Sequence, residues 1–205
     1  MRRAAFLIAR TLRRDAPIAA LSVPQAALLA DLAGKHVALV GNARSLAGTG
    51  HGPGIDAADL VIRINRAPMP APGSHGTRTD WLALATALPA ADWLALGRPR
   101  VLWMSPKRKR LSHALATSPG FYLHPLADYR RLRDTFGAPP TTGAMMIDLL
   151  AGSDLDRLTL YGFDFFASQS LSGRRTADQV PHDFGAEARF VAALIKRDSR
   201  ITRAP

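Results

Sequence analysis

Residues 36–42 read HVALVGN, a short apolar run that ends at a glycine. A run of this length, bounded by a turn residue, is typical of a strand that is buried on both faces. A glycine-rich turn occupies residues 41–54, and residues 60–65 (LVIRIN) predict a second buried strand. Such strands, when helical segments separate them, are typical of βα units, so we expect a mostly parallel sheet.

The rest of the chain alternates between apolar runs and segments of helical length. This pattern predicts an α/β protein, a single-domain three-layer α/β/α sandwich around one Rossmann-like sheet. Ligands of such sheets bind beyond the carboxyl ends of the strands. Residues 166–180 lack periodicity and are expected to form a mobile loop. Further strands are expected at 81–84, 101–104 and 158–163, and helices at 24–33, 89–96, 125–135, 141–150 and 184–196.

The composition is that of a globular protein. The 205 residues are 47% apolar and 21% charged, which excludes disorder for the bulk of the chain. No apolar run reaches the roughly 18–20 residues of a membrane-spanning helix, and we expect no signal peptide. The absence of cysteine excludes disulfides, thiolate metal sites and cysteine catalysis, and it fits a cytoplasmic protein.

The charge balance favours an anionic partner. Lysine and arginine total 27 against 16 acidic residues, for a formal charge of +11. Nucleic acid, an anionic lipid surface and an acidic substrate all fit this balance. The basic run at 107–110 lacks interleaved aromatic residues, so we do not expect nucleic acid as the partner.

The N-terminal segment, residues 1–34, is expected to be basic and helical, and to pack on, or precede, a domain formed by residues 35–205. Five arginines lie between Met1 and Asp15, interspersed with the apolar side chains of Phe6, Leu7, Ile8 and Leu12. One interpretation is an amphipathic helix that contacts an anionic membrane at its inner face. The other is a terminal helix that packs on the domain.

Two familiar ligand motifs are missing or misplaced. No G-x-G-x-x-G pattern fits residues 41–54, and the second strand ends at Asn65 rather than at an acidic residue, which argues against dinucleotide binding. The D-x-D motif at 154–156 precedes a predicted strand instead of following one. We interpret it as a turn and expect no metal site.

Two segments carry candidate chemistry. Residues 140–143 (PTTG) open a predicted helix, where free N–H groups and the helix dipole favour an anion. Simple capping by Thr141 or Thr142 is the alternative.

His182 precedes the last predicted helix, with Asp183 as the expected N-cap. A helix N-terminus disfavours the imidazolium, so His182 is a candidate general base, although a lone histidine often has only a packing role.

Taken together, these segments resemble the animal-type sialyltransferase family (glycosyltransferase family 29) over about residues 35–192. Its long motif is similar to residues 36–42, continuing through 55–56, 59–68 and 76–80. Its short motif is similar to residues 140–143 and 158–163. Its very short motif, H-x4-E, matches His182 and Glu187.

The resemblance implies a variant of the GT-A fold and an inverting, metal-independent transfer of sialic acid from CMP-sialic acid to an acceptor sugar hydroxyl. The CMP-sugar is a co-substrate, the acceptor is a glycan or glycolipid, and no cofactor is implied. His182 would take the proton of the acceptor hydroxyl, Glu187 would support the last helix, and Arg44 is a candidate for assisting the leaving phosphate. The residues implied in donor binding are Gly41, Asn42, Ala43, Asn65, Thr141, Thr142 and Gly143.

The sequence also departs from the family pattern. Ala43 replaces the usual serine, Val37 and Leu155 stand where the family has its disulfide, and the segment before His182 is short. We expect a minimal, bacterial catalytic core without the membrane anchor and stem of the animal enzymes. Two alternatives therefore remain, a CMP-Kdo-dependent transferase and a non-catalytic basic module that binds a nucleotide or an anionic surface.

Overall fold

The computed structural model describes residues 1–164 and 181–205. The predicted loop at 166–180 lies outside the described residues. In the described part, seven strands form one sheet in the order β5-β4-β3-β2-β1-β6-β7, and every neighbouring pair is parallel. The strands are β1 (His36–Val40), β2 (Leu60–Ile64), β3 (Trp81–Leu84), β4 (Arg100–Trp103), β5 (Tyr122–Leu123), β6 (Arg157–Tyr161) and β7 (Ile201–Arg203).

Helices connect the strands and cover the sheet. Two of them are short 3-10 helices, η1 (Arg44–Leu46) and η2 (Arg108–Arg110). The α-helices are α1 (Arg3–Thr11), α2 (Asp15–Ala19), α3 (Gln25–Ala30), α4 (Gly52–Asp56), α5 (Pro72–His75), α6 (Ala90–Ala95), α7 (His113–Ala116), α8 (Leu126–Phe136), α9 (Thr142–Ala151) and α10 (Phe184–Arg197).

Alternation along each strand distributes the core over two sides of the sheet. In β1, Val37 and Leu39 belong to a cluster with the apolar faces of α3, α8, α9 and α10. Ala38 and Val40 belong to a second cluster, with Ile55 of α4. Beyond β2, the same second side packs against α1, α2 and α7. Because successive strand side chains point to opposite faces, this division produces three layers.

The N-terminal helices are part of the packed structure. Phe6 of α1 is fully buried, and Ile18 of α2 is 1% exposed; both belong to a cluster with Val101 and Trp103 of β4. Burying a phenylalanine contributes about 2–3 kcal/mol, enough to hold a short helix that would be marginal alone. No helix in the described part of the chain is both long and apolar enough to cross a bilayer.

All five predicted strands are confirmed. The sequence analysis missed two further strands, and it placed the end of one strand two residues too late. β5 and β7 have two and three residues, too few to show a period. The expected strand at 158–163 ends at Tyr161, because Gly162 has φ +65° and turns the chain. The predicted helices are all present, with ends that differ by up to a few residues.

Candidate active site

The candidate site lies at the carboxyl edge of the sheet, where the strand order changes direction. Successive strands from β1 to β5 extend the sheet on one side, and β6 then returns to the other side of β1. Such a switch point opens a crevice, because the loops that leave adjacent strands turn toward opposite faces of the sheet. The turns after β1, β2 and β6 meet there and carry Gly41, Asn65 and Gly162.

Gly41 allows two turns to touch. Its N–H donates to Tyr161 O at 2.7 Å, and a Cβ at this position would stand 2.3 Å from Gly162 O. Ala43 is 5% exposed, and its N–H donates to Gly162 O at 3.3 Å. The backbone N–H groups of Gly41 and Ala43 therefore join the turn after β1 to the end of β6 and the turn that follows it.

The two asparagines join the strand ends to each other. Asn42 is 8% exposed and donates from Nδ2 to Ile64 O at 3.2 Å. Asn65 has φ +55°, and its Oδ1 accepts from the N–H of Ala85 at 3.0 Å. Its Nδ2 lies 3.5 Å from Thr142 Oγ1, at the start of α9. The asparagines thus bring the ends of β1, β2 and β3 together with this helix.

The N-terminus of α9 presents free donors to the site. Thr141 is the N-cap, and its Oγ1 accepts from the N–H of Ala144 at 3.1 Å. In the first backbone hydrogen bond of the helix, the N–H of Met145 donates to Thr141 O. Among the described residues, the N–H groups of Thr142 and Gly143 have no hydrogen-bond partner. Two unpaired N–H groups and the positive end of the helix dipole make this a candidate anion-binding position.

His182 lies beside the segment that leads into α9. Its Nδ1 is 2.6 Å from Pro139 O, and the side chain is half-buried. A carbonyl oxygen only accepts hydrogen bonds, so Nδ1 carries the proton. In the neutral ring, Nε2 then holds the lone pair and can take a proton from a hydroxyl group.

Glu187 links α10 to α9. The residue is 2% exposed, and its two carboxylate oxygens accept from Thr141 N and Thr141 Oγ1, each at 2.7 Å. Burial raises the pKa of Glu187 to about 7, against the effect of the two bonds from Thr141, and Asp183 adds a smaller upward effect. His182 and Glu187, five residues apart, thus both contact residues 139–141 and hold the last helix beside the candidate anion position.

The remaining candidates lie further from this cluster. Arg44 is exposed on η1, one residue beyond Ala43. The D-x-D segment precedes β6 and bonds to the backbone of Gly34 and Lys35, at the opposite edge of the sheet. In residues 1–164 and 181–205, no group of three or more histidine or acidic side chains is arranged to hold a metal ion.

Two comparisons with known proteins found sialyltransferases. Residues 18–91 match the sequence model of glycosyltransferase family 29 (sialyltransferase), a span that includes β1, β2 and β3. The crystal structure of a mammalian sialyltransferase in complex with Gal-beta-1-3GalNAc-ortho-nitrophenol matches 88% of this chain and 78% of its own, with a TM-score of 0.60 and 18% identity. The sialyltransferase CstII from Campylobacter jejuni, in complex with CMP-3FNeuAc, matches 82% of this chain and 80% of its own, with a TM-score of 0.54 and 14% identity. No curated protein sequence matches the chain.

The chain therefore resembles the sialyltransferases. The structural likeness, at 18% and 14% identity, shows a shared fold, and residues 18–91 carry the sequence signal of the family. Both findings support a glycosyltransferase. The matched sequence span ends before α9 and His182, so the roles of these elements rest on the geometry described above.

Two positions at which the sequence departs from the family pattern are buried in the structure. Val37 and Leu155, the pair that the resemblance places at the family's disulfide, are 0% and 2% exposed and belong to the same core cluster. Apolar packing therefore occupies that place. Ala43 is buried and contributes its backbone N–H, so no side-chain hydroxyl is available at this position.

Two residues that support the structure around the candidate site were missed by sequence reasoning. The ring of Phe163 approaches both Gly41 and Gly143, since a Cβ on these glycines would lie 3.2 Å and 2.7 Å from its edge. Arg63 is 1% exposed inside β2 and donates to the carbonyls of His75 and Arg78 at 2.7 and 2.8 Å. An arginine in an otherwise apolar strand was the signal available for Arg63, whereas the sequence contains no sign of the role of Phe163.

The substitution Glu187→Gln is expected to change how stability depends on pH. The pKa of Glu187 rises on folding from its ordinary 4.5 to about 7, so the folded state binds the proton more tightly. This carboxyl group therefore contributes stability that is fully present below pH 4.5 and lost as the pH rises through about 7. The loss amounts to about 3 kcal/mol, and Glu187→Gln, which is neutral throughout, should not show it.

Urea unfolding of both proteins at pH 5 and pH 8 measures this difference. The wild-type protein should lose more unfolding free energy between the two pH values than Glu187→Gln. Parallel pH dependence in the two proteins would show that Glu187 is ionised in the folded state over the whole range.

Proposed function

We propose that this protein transfers sialic acid from CMP-sialic acid to a sugar hydroxyl, with inversion at the anomeric carbon and without a bound metal ion. The observation that carries the proposal is the contact chain Asn65–Thr142–Thr141–Glu187, with His182 beside it. It brings an anion position and a candidate base to the switch point of the sheet. We also assign the fold to the GT-A variant of the family.

The donor would lie along the carboxyl edge, with its phosphate at the start of α9. The N–H groups of Thr142 and Gly143 would bind phosphate oxygens, and the helix dipole would stabilise the charge that grows as CMP leaves. Asn42 and Asn65 would border the nucleotide. The structural neighbour CstII supports this donor class, because its structure holds the substrate analogue CMP-3FNeuAc.

The reaction would proceed by direct displacement. Nε2 of His182 takes the proton of the acceptor hydroxyl as its oxygen forms a bond to the anomeric carbon. The bond from that carbon to the CMP phosphate oxygen breaks, and its electron pair leaves with CMP. The transition state has oxocarbenium character, as in other glycosyl transfers, and attack opposite the leaving group inverts the centre. A glycan is the acceptor class, in line with the disaccharide derivative in the mammalian neighbour.

Calorimetry with CMP, UMP, GMP and AMP tests the nucleotide assignment. CMP is expected to bind most tightly. Failure of CMP to bind would reject a CMP-sugar donor altogether, including CMP-Kdo. Hydrolysis assays with CMP-sialic acid and CMP-Kdo then decide between the two donors, and nucleotide binding without hydrolysis of either would favour a non-catalytic module.

The substitution Asn65→Gly is expected to weaken CMP binding about ten-fold, the value of one good hydrogen bond. Glycine accepts the positive φ of this position, so the variant removes the amide without straining the backbone. Arg98→Gly is the matched control, because Arg98 has φ +59° and lies before β4 at the opposite edge. Calorimetric affinities that are equal for Asn65→Gly and the control would remove Asn65 from the site.

A further inference from the structure

The outward face of α1 is apolar although the helix lies at the surface. The helix buries Phe6 and Ala9 against the domain, while Leu7, Ile8 and Leu12 are 37%, 58% and 56% exposed. Within the described part of the chain, the large apolar side chains that are exposed number five, and all but Leu94 lie in or beside α1. They are Met1, Leu7, Ile8, Leu12 and Leu94.

Basic side chains surround this apolar face. Only one acidic residue, Asp15, occurs among residues 1–30, and its Oδ1 pairs with Arg108 Nε of η2 at 2.8 Å. The guanidinium of Arg10 donates to Leu111 O at 3.0 Å, which joins α1 to the segment that follows η2. The fold thereby brings the 107–110 run beside the N-terminal arginines. The exposed basic residues of this surface are Arg2, Arg3, Arg13, Arg14, Lys107, Lys109 and Arg110.

We propose that α1 and η2 together form a docking surface for an anionic lipid bilayer. The lysines and arginines would contact the lipid headgroups, and Leu7, Ile8 and Leu12 would enter the boundary between headgroups and acyl chains. Phe6 anchors the helix to the domain, so the face is already ordered before it binds. A short helix with this preorganisation loses less conformational entropy on docking than a disordered tail would.

The apolar side chains favour a bilayer over a nucleic acid. Both polyanions would attract the arginines and lysines, but transfer of isoleucine and leucine side chains out of water is favourable only in the bilayer.

The docking surface lies at the same edge of the sheet as the candidate site. η2 follows the carboxyl end of β4, and the candidate site follows the carboxyl ends of β1 and β2, so both occupy one edge of the sheet. A lipid-linked acceptor would be presented at that edge, a point that rests on the proposed function.

Vesicle co-sedimentation of the full chain tests the surface, independently of any transferase activity. Vesicles of phosphatidylcholine with about 30% phosphatidylserine should bind the protein, and pure phosphatidylcholine should not. Lys107→Glu/Lys109→Glu is expected to weaken binding at least about 25-fold, since each basic residue near the surface contributes about five-fold. Ile8→Ser/Leu12→Ser is expected to weaken it at least about ten-fold.

Arg130→Glu/Lys196→Glu is the matched control. It changes the net charge by the same amount, and both residues are exposed on helices of the opposite face, α8 and α10. Because the chain has no cysteine, Ile8→Cys can also take a single polarity-sensitive fluorophore. Its emission should shift to the blue on anionic vesicles, and the same label on Arg130→Cys should not respond.

Four results would overturn the proposal. They are equal binding to both kinds of vesicle, equal loss in the control variant, undiminished vesicle binding of Ile8→Ser/Leu12→Ser, and conversion of a dimer to a monomer by that variant in sedimentation velocity. The third would indicate a surface for polyanions such as duplex DNA, and the fourth an interface between two copies of the chain.

Discussion

The substitution His182→Asn is expected to lower the rate of the proposed sialyl transfer by a factor of about 10²–10⁴, the usual contribution of a general base. Asparagine retains an N–H that can donate to Pro139 O, as Nδ1 of His182 does, but it has no basic nitrogen in the place of Nε2. The local structure should therefore survive while the proton acceptor is lost. CMP affinity is expected to stay unchanged, because the nucleotide contacts are proposed to come from other residues.

Single-turnover transfer and CMP calorimetry on the same preparations separate the two effects. A loss of CMP binding equal to the loss of rate would mean that His182 holds the donor rather than taking the proton. An undiminished transfer rate would remove His182 from the mechanism. Glu187→Gln serves as the comparison, since it also alters the contact between α10 and residue 141 but leaves the imidazole in place.

The substitution Arg63→Leu is expected to lower the unfolding free energy by about 3–5 kcal/mol, because two buried carbonyl groups would lose their donor, at about 1–3 kcal/mol each. Burial lowers the pKa of Arg63 to about 10, while Asp56 and Asp80 favour its charged form. Leucine would leave the carbonyls of His75 and Arg78 without their donors in the interior. For a chain of this length the melting temperature should fall by about 10 °C.

Two further variants sharpen the measurement. Arg63→Lys keeps the charge but lacks the planar fork that reaches both carbonyls, so its melting temperature should lie between those of wild type and Arg63→Leu. Arg66→Leu, two residues beyond β2 and exposed, should change stability by no more than about 0.5 kcal/mol. Equal melting temperatures for Arg63→Leu and Arg66→Leu would show that the network around Arg63 contributes nothing.

Much of the fold was accessible from local patterns. Residues 36–40 and 60–64 form strands because continuous apolar runs suit a sheet covered on both faces. The predicted N-cap Asp183 is confirmed, since its Oδ1 accepts from the N–H of Ala186 at 2.8 Å. Thr141 rather than Thr142 caps α9. Capping depends on neighbours three residues apart, which is why it can be inferred from sequence.

The short strands at the sheet edges were not accessible in this way. Tyr122–Leu123 pairs with β4, and Ile201–Arg203 pairs with β6. Two or three residues carry no period, and their extended conformation depends on hydrogen bonds to a neighbouring strand that is distant in sequence.

The amino-acid sequence by itself determined which segments are buried, the order of the strands and helices along the chain, and the positions of the turns that carry Gly41 and Asn65. The tertiary structure alone decided which nitrogen of His182 is protonated, that Glu187 bonds to Thr141, and that η2 lies against α1. The physical reason is sequence separation. Burial and capping follow from residues within a few positions of each other, whereas these contacts join groups that are distant in the sequence and exist only once the sheet has brought its loops together.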